Sequence, residues 1–301
     1  MQPPQTDRGL AQALTASVMW GLMPFYYKQL TSVPALETVA HRILWSVPLL
    51  FMIVHLRGSM PDFFAAVRNP KIRLALIGSA VCIAGNWLLY IWAVNTDHVV
   101  AASLGYFLSP LLSVLLGRIM LSERLSPLQS AAVVVAAIGV SALALQAWQT
   151  LWISVGLASF WAFYSLIRKI APVGPMVGLT IETGVLLVPA LGYAIWIGRL
   201  DDGVGFGTTL SINLLLVGSA IVTAAPLLLF AAAVKKMRLS TIGLLQYVAP
   251  SIQFALGVLL YREPLTLSHI ICFSLIWLSL MLFSWDMLRA DRAAPAASTP
   301  T

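Results

Sequence analysis

Apolar runs of about 20 residues recur from one end of this 301-residue chain to the other. A helix that crosses a hydrocarbon core about 30 Å thick needs about that many, and inside lipid it must satisfy its own backbone polar groups. Only 10% of the residues are charged and 59% are hydrophobic, against about 25% charged in a soluble domain. The chain cannot cover a water-facing surface, so a soluble globular fold is excluded. An all-α polytopic membrane protein is expected.

Proline, glycine and charge clusters divide the apolar sequence into ten spans. They are residues 11–30, 35–56, 72–94, 99–121, 127–146, 150–168, 174–197, 212–234, 239–260 and 267–288. The first run holds Trp20, Pro24 and Lys28, unlike a short leucine-rich signal segment, and reads as a retained first helix. Residues 1–10 are polar, and 289–301 are an Ala/Pro/Ser/Thr-rich tail with nothing to bury, expected to be disordered. Connections are mostly short, so consecutive helices are expected to be antiparallel neighbours. The longest connections are 57–73 and the Gly-rich 198–211. Cys82 and Cys272 lie in separate apolar runs and form no pairing pattern.

Fourteen of the 18 lysines and arginines fall on the side that holds both termini and the loops following even-numbered spans. The other side has Lys28, Arg199 and Arg262, and Arg42 lies within a span. Cytoplasmic loops concentrate Lys and Arg, so both termini are expected in the cytoplasm. This asymmetry accounts for the net charge of +7 without a nucleic-acid partner.

The second half repeats the first. At an offset of 141, Trp20 meets Trp161, Lys28 meets Lys169, Pro34 meets Pro175 and Pro48 meets Pro189; at 140, Gly78-Ser79-Ala80 meets Gly218-Ser219-Ala220, Pro110 meets Pro250 and Glu123 meets Glu263. Five spans per half is an odd number, so residues 11–148 and 149–288 enter the membrane oppositely. Ten transmembrane helices in a 5+5 inverted-topology repeat are a transporter architecture, with solute bound at the midplane between the halves.

Polar residues mark the candidate path. In span four Tyr106, Pro110, Ser113 and Gly117 share one helical face, and in span nine Gln246, Pro250, Gln253 and Gly257 share the equivalent face. Each proline frees a backbone carbonyl that needs a partner or a wet cavity. Asn86 and Tyr90 lie one turn apart in span three, and Trp20 and Trp161 sit mid-span. Helix packing through small residues is the alternative and is the reading for Gly117 and Gly257, whereas Tyr106 and Gln246 are expected to line a cavity.

The stretch ETVAHRILWS (37–46) sits between apolar flanks. Arg42 is about eight residues, or about 12 Å, below the outer end of span two. Intramembrane ionisable groups cost a few kcal/mol and usually face the protein interior. Arg42 is expected to face inward, with Glu37 or a backbone carbonyl accepting from its guanidinium; the alternative is an arginine snorkelling to the outer interface. His41 aligns with Glu182 of span seven, placing an ionisable group at equivalent depth in each half. Glu37, His41, Arg42, Glu182 and Lys28 are the candidate gating or charge-bearing residues, and the first three carboxylate or imidazole groups of that set could carry protons. The four histidines show no metal spacing and no Gly-rich phosphate loop precedes a helix. Neither enzymatic activity nor a cofactor is expected.

The segments WGLMPFYYK (20–28), PALETVAHRILWS (34–46), NWLLYIWAVNTDHVVAASLGYFLSPL (86–111) and LSERLS (121–126) resemble the RarD branch of the EamA-type drug/metabolite transporter superfamily. LLQYVAPSIQFALGVLLYREPL (244–265) is similar to that family's second, more loosely patterned repeat. The resemblance implies two EamA repeats in a bacterial inner-membrane protein, in a superfamily that moves amino acids, nucleotide sugars or drugs, often outward. The expected function is alternating-access transport, in the export direction, of a small organic metabolite or drug that is anionic, zwitterionic or aromatic. An uncoupled facilitator or channel, or a non-transporting scaffold or sensor, are the alternatives.

Overall fold

The computed structural model describes residues 7–96, 98–145, 148–199, 205–260 and 267–293, and they are helical almost throughout. Twelve α-helices follow one another: α1 (Asp7–Tyr27), α2 (Ala35–Leu56), α3 (Met60–Arg68), α4 (Pro70–Asn95), α5 (Val99–Met120), α6 (Pro127–Ala144), α7 (Leu151–Ile170), α8 (Pro175–Ile197), α9 (Leu210–Lys236), α10 (Leu239–Leu245), α11 (Val248–Leu259) and α12 (Leu267–Ala293). Among the described residues six helical stretches are long and apolar enough to cross a membrane, in α2, α4, α7, α8, α9 and α10–α11. Shorter apolar stretches occupy α5, α6 and α12.

Three differences from the sequence reading have physical causes. Residues 239–260 do not form one helix: α10 ends and α11 begins around Gln246 and Tyr247, four residues before Pro250. Pro250 has no N–H for the Gln246 carbonyl, which accepts from the Ala249 N–H instead, at 3.3 Å. The 57–73 connection contains α3, which starts after Gly58 turns the chain at φ +66°. Finally, α12 runs to Ala293, past the expected start of the tail at 289; residues 294–301 and 1–6 lie outside the described residues.

The largest correction concerns neighbours. Helices adjacent in sequence mostly do not pack on each other. The principal partners are α1 with α9 and α11, α4 with α7, α2 with α8 and α9, α5 with α7 and α10, and α6 with α12. Lipid is as apolar as a leucine face, so helix pairing follows close shape fit and internal hydrogen bonds, and short loops do not decide it. Gly243 of α10 illustrates the fit: a Cβ there would lie 2.8 Å from the Pro110 carbonyl oxygen of α5. Among the described residues five apolar clusters result, two of them large. One joins α1, α2, α4, α7, α8 and α9 around Leu50, Ile83, Tyr164 and Phe230. The other joins α5, α6, α10 and α12 around Leu104, Leu244 and Ile276.

Candidate functional site

Between those cores, side chains from α1, α2, α4, α5 and α9 converge on Arg42. Its Nε donates to the Thr223 hydroxyl at 2.8 Å. Its guanidinium carbon lies 4.7 Å from the Trp87 ring centre and 5.4 Å from that of Tyr27, inside the range of cation–π attraction. The guanidinium is also close enough to Tyr106 to act on its hydroxyl electrostatically. Tyr106 meets Tyr90 edge to face, with ring centres 5.6 Å apart. Tyr106 is 38% accessible, as is Tyr90 beside it.

A second aromatic tier lies toward the basic end. Trp20, Trp161 and Phe230 meet with ring centres 5.2–5.4 Å apart. The Trp161 indole N–H donates to Gln246 Oε1 at 2.7 Å. Trp20 and Tyr27 are seven residues apart on α1, as are Thr223 and Phe230 on α9. Two helical turns, about 10 Å, therefore separate the two tiers.

Glu37 does not accept from Arg42. Its carboxylate, 1% exposed, takes the backbone N–H of Gly205 at 2.8 Å and that of Phe206 at 3.1 Å. His41 Nε2 lies 3.8 Å away, and the His41 ring stacks on Phe206 while Nδ1 accepts from Trp45 Nε1 at 3.2 Å. Glu37 and His41 thus pin the chain leading into α9. The backbone N–H groups before α9 have no side-chain signature, which is why the sequence pointed Glu37 at Arg42 instead.

Glu182 is sealed inside the opposite half of the helical body. It lies 3.5 Å from Arg168 Nη1 and accepts from the Ser79 hydroxyl; Arg168 Nη2 donates to the Pro175 carbonyl at 2.9 Å. Arg168, counted from sequence among the basic side's loop charges, is wholly buried. A Cβ on Gly178 would fall 1.8 Å from Arg168 Nη1, so that glycine makes the hollow the guanidinium fills. Gly178 and Glu182, one turn apart on the next helix, were the available signal.

Asn86 departs from its expected place at a cavity wall. It is 2% exposed, and its amide donates to the Leu157 carbonyl at 2.9 Å, so it fastens α4 to α7. Pro110 is buried against α10, Pro250 sits at the α10–α11 break, and Lys28 lies on the exposed turn Lys28–Leu30. Asp201 and Asp202 of the Gly-rich connection, and Glu263, lie outside the described residues.

At the basic end, Glu123 caps α10: its oxygens accept from the Leu239 N–H at 2.8 Å, the Ser240 N–H at 2.9 Å and the Ser240 hydroxyl at 2.7 Å. Lys169 donates to the Met237 carbonyl at the end of α9, and Arg238 Nη1 donates to the Arg124 carbonyl at 2.9 Å. These ties draw the helix ends together there.

Residues 7–145 match the EamA-like transporter family. The chain is 40% identical over 299 residues to an uncharacterized transporter of Vibrio cholerae serotype O1, covering 99% of both chains. It is 40% identical over 297 residues to the protein RarD of Streptomyces exfoliatus, covering 97% of this chain and 94% of the relative. A solved crystal structure superposes with a TM-score of 0.72 at 20% identity, over 92% of this chain and 97% of the other, a likeness of fold.

Proposed function

The chain belongs to the RarD-type branch of the EamA-like transporter family, and from that premise we propose a ten-span carrier that exports a small organic solute by alternating access. The spans are α1, α2, α4, α5 and α6, then α7, α8, α9, α10–α11 and α12, in two inverted halves. The packing pattern supports this reading. Exchanging the halves turns α1–α9 into α7–α4, α2–α9 into α8–α4 and α5–α7 into α11–α1, while α2–α8, α5–α10 and α6–α12 map onto themselves. The basic end is cytoplasmic by charge, in the inner membrane. The ties of Glu123 and Lys169 draw the helix ends together at that side.

The observation that carries transport is the pair Tyr106 and Tyr90, each 38% accessible and in ring contact with each other, which we read as the wall of an internal hollow beside half-buried Arg42. A scaffold would pack this level solid. Asn86 fits the scaffold reading, since protein satisfies it; Tyr106 and Tyr90, each 38% exposed, do not. Of the three candidate proton carriers among the described residues, Glu37 is occupied by backbone N–H groups, Glu182 lies against Arg168 and Ser79, and His41 is stacked on Phe206 with its Nδ1 accepting from Trp45. These engagements favour the uncoupled mode.

Reconstituted protein should move at least one solute of a metabolite panel across the liposome membrane, at rates unchanged when a pH gradient is imposed. A cysteine at Phe64 should react with impermeant reagent only from the cytoplasmic side, and one at Lys28 only from outside. No solute movement would overturn the carrier, and labelling of both positions from one side would overturn the topology.

A further inference from the structure

We infer that the solute is a net anion, a carboxylate on an aromatic or other planar body, and that Arg42 is the residue that recognises it. The inference rests on the carrier reading above and names its substrate class.

The guanidinium is held on three sides. Thr223 fixes Nε, and Trp87 and Tyr27 are stacked within cation–π range. Among the described residues Arg42 makes no ion pair, and no acceptor is bonded to Nη1 or Nη2. Neither nitrogen of this half-buried side chain is a buried orphan, so both N–H groups stay available to a further acceptor. Two parallel N–H groups on a fixed plane match a carboxylate.

The hydrogen-bond balance points the same way. Acceptors around the hollow are used: Glu37 by the Gly205 and Phe206 N–H groups, the Gln246 carbonyl oxygen by Trp161, the Thr223 hydroxyl by Arg42 itself. Two buried polar atoms left without partners among the described residues, Tyr27 OH beside Arg42 and Gln246 Nε2 in the second tier, can both donate. A donor surplus beside a fixed cation suits a net negative charge. An ammonium group would meet no spare carboxylate there, because Glu37 is taken by the Gly205 and Phe206 N–H groups and Glu182 lies against Arg168 in the other half, so a zwitterion is disfavoured against a simple anion. The rings of Tyr27, Trp87, Tyr90 and Tyr106 supply the apolar walls for a planar body. A net anion also needs no coupling ion to leave the cell, since an inside-negative potential drives it outward.

The test uses full-length purified protein and compounds sharing one body: phenylacetate and indole-3-acetate, their amides, the matching amines, and the amino acids phenylalanine and tryptophan. Binding is read from quenching of intrinsic tryptophan fluorescence and, for the indole compounds, by calorimetry; movement is read from uptake into liposomes with an imposed positive-inside potential. The carboxylates should bind at least 10-fold more tightly than their partners. Arg42→Gln should weaken carboxylate binding roughly 100-fold, and Arg42→Lys, which keeps charge without the planar fork, roughly 10-fold. Melting of both variants should match the parent within a few degrees, and the partial retention in Arg42→Lys excludes misfolding as the cause. Equal binding of acid and amide, preference for the amino acids, no binding of any carboxylate, or unaltered binding by Arg42→Gln would each overturn the inference. Carboxylates that bind through Arg42 but never cross would leave this site standing and remove the carrier. Solutes that cross as readily in Arg42→Gln would do the reverse.

Discussion

Two arginines lie inside the helical body, and their surroundings are opposites. Arg168 is wholly buried, beside Glu182, in a hollow that Gly178 leaves for it. Arg42 is half-buried, flanked by rings, bonded to a hydroxyl and unpaired with any described carboxylate. The same side chain is a tie in one half and an open recognition edge in the other. A charge alone therefore does not mark a transport path; what marks it is a charge whose protein partners leave one face unspent.

The comparison breaks most readily on stability. Removing one partner of a buried pair strands the other, at about 3–5 kcal/mol. Arg168→Ala should lose that much in unfolding measurements in detergent and should nearly vanish from the membrane. Arg42→Ala should stay within about 1 kcal/mol of the parent. If Arg42→Ala proved the more damaging, the roles assigned to the two arginines would be exchanged.

A smaller effect sharpens the claim about the hollow. Gly178→Ala, by overpacking against Arg168 Nη1, should cost about 1–3 kcal/mol. Combined with Arg168→Met and Glu182→Leu, the same change should become nearly neutral, because the guanidinium it clashes with is gone. An unchanged penalty in that background, measured by the same unfolding assay, would place the fault elsewhere than the hollow.

Glu37→Gln tests whether the outer carboxylate holds the chain before α9. Losing a charge-assisted acceptor for two backbone N–H groups should cost about 1–2 kcal/mol. A cysteine at Phe206 should then react several-fold faster with an impermeant thiol reagent. The smallest change is expected from Thr223→Val, which frees Arg42 Nε and should weaken solute binding by about 2- to 10-fold, or about 0.5–1.4 kcal/mol, at unchanged abundance.

The all-helical, span-rich character of the scaffold was legible in the sequence, because lipid imposes length and apolarity on each span. The internal repeat is proposed from its prolines and tryptophans, which recur at offsets of 140 and 141. What packs on what was not legible, since apolar faces in lipid are distinguished only by shape. At the candidate site, inward-facing Arg42 and the accessible Tyr106 followed from periodicity and depth. The partner of Arg42 did not: Thr223 lies 181 positions away, and hydroxyls in apolar helices carry no sign of their target. Asn86 was misplaced for the converse reason, because its acceptor is a backbone carbonyl of Leu157 that no residue type announces.

The pairing of α1 with α9 and α11 has a consequence for how the chain is made. Gly9 meets Met237, 228 positions later, so at about 5–20 residues per second the first helix waits roughly 10–50 seconds for its partner to be synthesised. Meanwhile Arg42 is in the bilayer without Thr223, and a lone cation there is unfavourable by a few kcal/mol. The early spans must be sheltered by the insertion machinery, or settle shallowly until α9 arrives. Slowing translation just before residue 210 should therefore expose nascent chains to membrane proteases more than a pause placed after residue 260, when the partners of α1 are already in the membrane.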